Sequence, residues 1–265
     1  MEGETRMRFL VVIMLAVCVL ASTASGVLLP ENWDRLTCKV STGDSVGTAF
    51  ILRYKGQIVA VTNRHVVDPG RSVFHLRLRT DLLAELVDDT TRISDYENEA
   101  DSLRVLPNDN MYFTDSVYDI AFVRLKVAVS VLDVAVVPES GIAEDSMILP
   151  GREVFFLGYP SGMAGRTAHT PLVRTATVAG EHEHKIILDG NFFGGSSGSP
   201  IFLESDPQNG VTSSQLIGIV CEERLRAARR RGGAPPLYAE NIGIGIGIKI
   251  SYVIAALNGW MTGWE

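Results

Sequence analysis

The stretch "GTAFILRYKGQIVAVTN", residues 47–63, decides the fold class of this chain. Apolar and β-branched residues fill the segments on either side of Lys55-Gly56, and such a pair of runs joined by a two-residue turn predicts a β-hairpin. Short runs of this kind, separated by Gly, Pro, Asn and Asp, continue along the chain after residue 26. We therefore predict an all-β protein, with barrels or sandwiches favoured over a βαβ sheet.

Composition bounds the size of the core and the kind of partner. The chain has 265 residues, of which 46% are hydrophobic and 21% are charged, as in ordinary globular proteins. This length allows one large or two small folded units. The net charge of -7 argues against nucleic acid or an anionic membrane surface as the main partner. Peptides and small molecules remain open as partners.

The first 25 residues have the pattern of a secretory signal peptide. Arg6 and Arg8 precede the apolar run Phe9–Ala21, which the small residues "STASG" follow. The run is shorter than the roughly 20 residues that a membrane-spanning helix needs. We predict an exported protein, secreted or periplasmic, with no stable membrane insertion once the leader is removed.

Export would leave the mature chain with two cysteines, Cys38 and Cys221, because Cys18 lies in the leader. An oxidising compartment permits a disulfide between them. Two separate buried thiols are equally compatible with the sequence. Both alternatives stay open.

Three segments depart from the rhythm of short strands. Residues 81–110 are acidic and partly helical in pattern, which predicts a surface insertion. Residues 131–150 have weak periodicity and resemble a linker between two halves. The run "ISYVIAALNGW", residues 250–260, places apolar side chains at helical spacing and predicts a short C-terminal helix.

The chain offers a candidate for each of the groups that together activate a serine hydroxyl. A serine hydroxyl needs a base, a group that orients the base, and donors for the oxyanion. His65 follows a predicted strand in "AVTNRHVV", and Asp119 begins another in "SVYDIAFVRL". In "FFGGSSGSP", residues 192–200, only Ser197 has a glycine both two positions before it and directly after it. We predict Ser197 as the nucleophile, with the amides of Gly195 and Ser197 forming an oxyanion hole.

These segments resemble the chymotrypsin-like (trypsin-like) serine proteases, and most of all their secreted bacterial-type branch with the high-temperature-requirement proteases. The resemblance covers the chain from Gly47 to Ile250 and is carried by "GTAFIL", "VTNRHVV", "DIAFVRL", "LGYPSG", "GGSSGSPIF" and "GIGIGIKI". The order His, Asp, Ser is that of chymotrypsin and is opposite to that of the α/β-hydrolases.

The resemblance implies two antiparallel six-stranded β-barrels with the active site between them and a short C-terminal helix. Residues 26–135 would form the first barrel, with His65 as general base and Asp119 as its orienting carboxylate. Residues 136–265 would form the second barrel and the helix, with Ser197 as nucleophile. The implied activity is that of a serine endopeptidase, which cleaves peptide or protein substrates through an acyl-enzyme and needs no cofactor or metal.

The chain departs from trypsin at several positions. Asn191 occupies the place of the aspartate that selects basic side chains, and Phe192 follows it, so we assign both to the specificity pocket and expect an apolar or small side chain before the scissile bond. Ser196 stands where trypsin has an aspartate that pairs with a new N-terminus, so activation by N-terminal cleavage is not expected. The short stretch after Leu257 leads us to expect a protease domain without a PDZ module.

The same residues allow other interpretations. A catalytically silent binding protein with the protease fold, or an esterase on the same scaffold, would keep the motifs. The two histidines of "GEHEHK", residues 180–185, lack a third nearby ligand, so a polar hairpin tip is favoured over a metal site. The basic run 224–231 is typical of a solvated loop, although it could form a flap beside the cleft.

Overall fold

The structure is a computed structural model. It describes residues 29–30, 32–42, 45–67, 74–77, 102–105, 112–125, 135–166, 170–205, 213–227 and 239–263. The predicted leader lies outside the described residues, as does most of the segment 81–110. Within the described residues, no helix is long and apolar enough to span a membrane.

The first half of the chain forms one antiparallel sheet of seven strands, in the order β5-β4-β1-β2-β3-β7-β6. A 3-10 turn at Trp33–Arg35 precedes it, and a one-turn helix, α1, Arg64–Val67, follows β3. The strands are β1 Thr37–Thr42, β2 Ser45–Tyr54, β3 Gln57–Asn63, β4 Phe74–Arg77, β5 Ser102–Val105, β6 Tyr112–Asp115 and β7 Ile120–Arg124.

The predicted hairpin is confirmed as β2 and β3. The two strands pair from Phe50 opposite Val61 to Tyr54 opposite Gln57. Lys55 and Gly56 both have positive φ, 46° and 74°, as a type I′ turn requires. The twist of this turn matches that of the strands.

The second half forms a closed barrel of six antiparallel strands, in the order β10-β13-β12-β11-β8-β9. 3-10 turns at Glu139–Gly141 and Asp145–Met147 precede the barrel, a third at Pro160–Gly162 lies between its first two strands, and helix α2, Ile250–Met261, follows the last strand. The strands are β8 Glu153–Gly158, β9 Leu172–His182, β10 Lys185–Asp189, β11 Pro200–Leu203, β12 Gln215–Ala227 and β13 Ala239–Lys249.

The observed architecture confirms the β class, one six-stranded barrel and the C-terminal helix, but corrects the expectation of two six-stranded barrels. The first sheet has seven strands, and among the described residues no ladder joins its end strands β5 and β6. The extra strand, Ser102–Val105, comes from the segment that the sequence analysis took for a surface insertion. It pairs with β4, Phe74–Arg77, across the intervening segment, so local pattern gave no signal for this short strand.

The C-terminal helix connects the two halves. Ile250, Val253 and Leu257 of α2 are fully buried in a core cluster that also contains residues of both sheets. The ring of Trp260 stacks on Phe122 of the first sheet, with centroids 5.8 Å apart. Burial of each large side chain contributes about 2 kcal/mol. The helix thereby holds the barrel against the sheet, and the cleft between them carries the candidate site.

Candidate active site

His65 is presented by the one-turn helix α1 directly after β3. Val66 and Val67 of this turn are buried, and the His65 side chain on the other side is 48% exposed. Its Nδ1 lies 2.5 Å from Oδ2 of Asp119, and its backbone N–H donates to Oδ1 of Asp119 at 2.9 Å. Because a carboxylate only accepts, the proton of the neutral ring lies on Nδ1. Nε2 is therefore the nitrogen that can accept a proton.

Asp119 is held by its backbone as well as its side chain. Its φ of 56° lies in the left-handed region, which Asp tolerates better than most residues. The Asp119 carbonyl accepts from the backbone N–H of Arg64 and from Nδ2 of Asn63, both at 3.0 Å. The end of β3 and the start of β7 thus fix the carboxylate and the imidazole relative to each other.

The electrostatics of Asp119 favour its ionised form. Partial burial of the carboxyl raises its pKa, but the side-chain hydrogen bond, positive charge and backbone hydrogen bond of His65 lower it, with help from Cys221. The net result is a pKa below the ordinary value of 3.8. A carboxylate that stays charged stabilises a protonated imidazole beside it.

Cys221 contacts both parts of the site, and sequence reasoning missed it. Its Sγ donates to Oδ2 of Asp119 at 3.3 Å, and its carbonyl accepts from Oγ of Ser197 at 3.3 Å. Both Cys221 and Cys38 are free thiols, so no disulfide joins them. Burial raises the pKa of the Cys38 thiol to about 12, which keeps that thiol unreactive. The resolved alternative is therefore two separate thiols, one in the core and one in the site.

Ser197 lies in the loop between β10 and β11, on the same cleft as His65. Within the described residues its hydroxyl is bonded to the carbonyl of Cys221 and makes no hydrogen bond to His65. Rotation of the Ser197 side chain about χ1 is the motion that exchanges one acceptor for another. The structure thus places the predicted serine beside the His–Asp pair, with its hydroxyl directed to Cys221.

Two glycines let the Ser197 loop curl. Gly195 has φ 91° and Gly198 has φ 88°, both in the region that side chains other than glycine avoid. A Cβ on Gly195 would lie 2.4 Å from the Tyr159 carbonyl oxygen. Within the described part of the chain, the amides of Gly195 and Ser197 donate to no protein acceptor. Two unengaged donors beside Ser197 are what an oxyanion hole requires.

The cleft has a volume of about 960 Å³ and lies between the two halves of the molecule. Its lining includes Val46 and Gly162, which lie close together, and Tyr118 and His184, whose rings are in contact. The ring of His184 stands edge-on to Tyr118, with centroids 5.2 Å apart. Among the described residues, no group of three or more His, Cys, Asp or Glu could hold a metal ion.

The structure places Asn191 and Phe192 away from the lining of this cleft. Phe192 is fully buried and stacks on Phe156 inside the barrel, with centroids 4.8 Å apart. Its ring lies so close to Gly245 that a Cβ there would approach it to 2.4 Å. Asn191 is exposed. The assignment of Phe192 to a specificity pocket is therefore corrected: the close-packed core takes its apolar ring, and Phe192 supports the loop from within.

The sequence of both halves of the molecule matches a family of peptidases. A family model described as the trypsin-like peptidase domain matches residues 47–209. Because this match spans more than half of the 265 residues, the chain belongs to the trypsin-like peptidase family. The predicted family is thereby confirmed, and a protease is the activity that the family supports. A search of curated proteins gave no match.

Solved structures with folds similar to this chain were also found. AlgW, an HtrA-type protease in a structure with a tripeptide, superposes with a TM-score of 0.53 at 16% identity, covering 86% of this chain and 60% of AlgW. Rv3671c of M. tuberculosis H37Rv, in an inactive form, has a TM-score of 0.46 at 15% identity, covering 86% of this chain and 88% of that one. At such identities the AlgW likeness shows the fold. This chain spans less than two thirds of the length of AlgW.

Proposed function

We propose that this protein is a serine endopeptidase that hydrolyses peptide bonds through His65, Asp119 and Ser197. The observation that carries the proposal is the 2.5 Å contact between His65 Nδ1 and Asp119 Oδ2, in a cleft that also holds Ser197. The contact leaves Nε2 of His65 as the proton acceptor for the serine. Peptide and protein substrates follow from the family.

The first half of the reaction forms an acyl-enzyme. The Ser197 hydroxyl turns from the Cys221 carbonyl toward His65 and gives its proton to Nε2 while Oγ bonds to the substrate carbonyl carbon. The charge that develops on the substrate oxygen is stabilised by the amides of Gly195 and Ser197. The carbon–nitrogen bond then breaks, and the proton on His65 passes to the leaving amine.

The second half releases the acid. A water molecule gives a proton to Nε2 of His65 and its oxygen attacks the ester carbonyl. The ester bond to Ser197 breaks, and Oγ takes the proton back. Asp119 stays ionised throughout and stabilises the imidazolium, in keeping with its lowered pKa.

The direct test is labelling by a fluorophosphonate, which reacts with activated serines. We expect one adduct, on Ser197, and its loss in Ser197→Ala and His65→Ala with the fold retained. Ser199→Ala is a matched control, because the Ser199 hydroxyl is buried in the same loop and has no hydrogen-bond partner in the described part of the chain. A folded wild-type protein that takes no label would contradict the proposal.

A second candidate is a binding protein that keeps the protease fold. The hydrogen bond from Ser197 to the Cys221 carbonyl, in place of one to His65, favours it. A binding protein would hold a peptide in the cleft without cleaving it. Labelling of Ser197 together with cleavage of fluorescein-casein would exclude this candidate, whereas cleavage of simple esters alone would favour an esterase.

We also propose that the protein is exported. The support is the pattern of residues 1–25, with two arginines before an apolar run and small residues after it. Expression of the full chain followed by N-terminal sequencing of the secreted or periplasmic product tests this. A mature chain that begins near residue 25 is expected, and retention of the leader in a cytoplasmic product would overturn it.

A further inference from the structure

Thr48 of β2 reaches across the junction into the Ser197 loop. This residue belongs to the first sheet and is fully buried. Its backbone N–H donates to the Ser197 carbonyl at 2.8 Å. Its hydroxyl donates to the Gly195 carbonyl at 2.9 Å and accepts from the backbone N–H of Tyr159 at 3.1 Å. One buried hydroxyl thus donates to the Ser197 loop and accepts from the turn beside it.

The turn that begins at Tyr159 holds the peptide bond before Gly195. The backbone N–H of Ser161 donates to the Gly194 carbonyl at 2.5 Å, with Ser161 in the left-handed region at φ 53°. In a trans peptide the C=O and the N–H point in opposite directions. A Gly194 carbonyl held by Ser161 therefore directs the N–H of Gly195 away from Ser161.

The same hydroxyl controls both peptide bonds that flank the Gly195 Cα. It binds the Gly195 carbonyl directly, and it binds Tyr159, from which the Ser161 turn follows and reaches the Gly194 carbonyl. Glycine can rotate through backbone angles closed to other residues, so without these bonds the Gly194–Gly195 peptide can flip. A flip would point the Gly194 carbonyl to where the Gly195 amide had been.

We propose that Thr48 is a positioning residue: its hydroxyl orients the Gly194–Gly195 peptide so that the Gly195 amide faces the cleft as an oxyanion donor. This inference rests on the proposed function. It also explains how the first sheet, which supplies the base, sets the geometry of the nucleophile loop in the barrel. Contact between the two halves is then a condition of activity.

Neighbouring residues fix Thr48 itself. The hydroxyl of Thr62 on β3 donates to the Thr48 carbonyl at 2.7 Å. Gly198 packs against the same carbonyl so closely that a Cβ at Gly198 would lie 1.7 Å from the oxygen. Thr48 therefore has little freedom to move, and a change of its side chain tests the hydroxyl rather than the strand.

The test compares Thr48→Val with Thr48→Ser. Valine has the shape of threonine but leaves the Gly195 carbonyl and the Tyr159 amide without their partner, whereas serine keeps the hydroxyl. The readout is the second-order rate of fluorophosphonate labelling at Ser197. We expect the rate to fall about 10- to 100-fold in Thr48→Val, somewhat less than the ~10²–10³ that loss of a whole oxyanion donor costs. Thr48→Ser should restore most of it.

Thr37→Val is the matched control for these variants. Thr37 lies on the neighbouring strand β1 and is buried, and its hydroxyl has no hydrogen-bond partner among the described residues. We expect Thr37→Val to be labelled at the wild-type rate. Thr48→Val labelled as fast as wild type, with wild type labelled at Ser197, would overturn the role of Thr48 and leave the proposed function standing.

A crystal structure of Thr48→Val beside wild type gives a readout that does not depend on activity. We expect the Gly194 carbonyl to leave Ser161 in the variant, and an unchanged peptide would overturn the inference even if wild type takes no label.

Should Thr48→Val fail to fold, Ser161→Pro removes the hydrogen bond from the Ser161 N–H to the Gly194 carbonyl, which holds the same peptide. Proline lacks the N–H and cannot adopt φ 53°. Slow labelling is then expected in Ser161→Pro, and rescue by Ser161→Gly; equal rates in the two would contradict the proposal.

Discussion

The proposed base and the proposed nucleophile are held in different ways. His65 and Asp119 both lie in the first half of the chain, and their contacts join the helical turn that follows β3 to the residue that precedes β7; β3 and β7 are paired strands. Ser197 belongs to the barrel, but its carbonyl is bound by Thr48 of the sheet. The His–Asp pair is therefore local to one half of the molecule, whereas the nucleophile loop depends on the junction between the halves.

The Asp119 carboxylate and the Ser197 hydroxyl also differ in the number of hydrogen bonds that hold them. The Asp119 carboxylate accepts from the ring of His65, the backbone of His65 and the thiol of Cys221. Among the residues that the structure describes, the Ser197 hydroxyl makes one hydrogen bond, to the Cys221 carbonyl. A residue in the left-handed region, as Asp119 is, persists because its surroundings over-determine it. We expect substitutions of Asp119 to abolish most of the catalytic activity, and substitutions around Ser197 to lower the activity by different amounts.

The largest effect is expected from Asp119→Asn. The amide keeps the volume of the carboxylate but offers an N–H where His65 needs an acceptor, so the ring settles in the wrong tautomer. Substitutions of this kind lower kcat about 10⁴-fold in Ser–His–Asp enzymes. The kcat for a cleaved peptide substrate measures the loss. Asp189→Asn on the exposed end of β10 is the control, and a loss under about tenfold in Asp119→Asn would show that the pair is not catalytic.

Gly195→Ala tests the other member of the comparison, the Ser197 loop. The added methyl would lie 2.4 Å from the Tyr159 carbonyl oxygen, and φ 91° is strained for alanine. Since the loop must shift its amide, we expect the labelling rate to fall by about 10², as for loss of one oxyanion donor. Gly180→Ala adds a methyl where nothing lies within 4 Å and should be labelled like wild type. Similar rates for the two variants would mean that the loop is less fixed than its contacts imply.

Much of the fold could be predicted because its signals are local. The Lys55-Gly56 turn and the apolar spacing of α2 are short-range patterns, and both elements form where they were predicted. Strand β5 could not be predicted, because a four-residue run within an acidic segment gains its stability from pairing with β4. The closed barrel was found by resemblance, since closure depends on pairings between distant strands.

The same distinction between local and long-range signals applies to the candidate site. Residue type and order indicated His65, Asp119 and Ser197, which the structure brings to one cleft. The roles of Thr48 and Cys221 were missed, because a buried threonine or a cysteine in an apolar strand has no local signature. Their contacts with the site come from strands far apart in sequence and become visible only when sheet and barrel are packed together.

A smaller effect is expected from Cys221→Ala, which removes the thiol that donates to Asp119. A neutral hydrogen bond contributes about 1 kcal/mol, so we expect kcat to fall about fivefold or less, since a thiol is a weak donor. Cys221→Ser replaces it with a stronger donor and should match or exceed wild type. Counting the alkylated cysteines by mass spectrometry after iodoacetamide treatment checks the exposure of the two thiols. Buried Cys38 should resist alkylation in the folded protein, while half-buried Cys221 should react.

The smallest effect concerns stability at low pH, and it isolates Asp119 from its role in catalysis. The folded-state pKa of Asp119 lies below the ordinary value of 3.8, because the contacts with His65 and Cys221 outweigh the effect of burial. A carboxyl with a lowered folded-state pKa stabilises the fold above its unfolded-state pKa, and this contribution is lost as pH falls through the folded-state pKa. The Tm of wild type should therefore exceed that of Asp119→Asn near neutral pH, and the difference should shrink once the pH drops below 3.8. Thermal unfolding of both proteins from pH 7 to pH 3 measures it. A Tm difference that stays constant over this range would show that the Asp119 charge contributes nothing to the fold and that its contacts serve geometry alone.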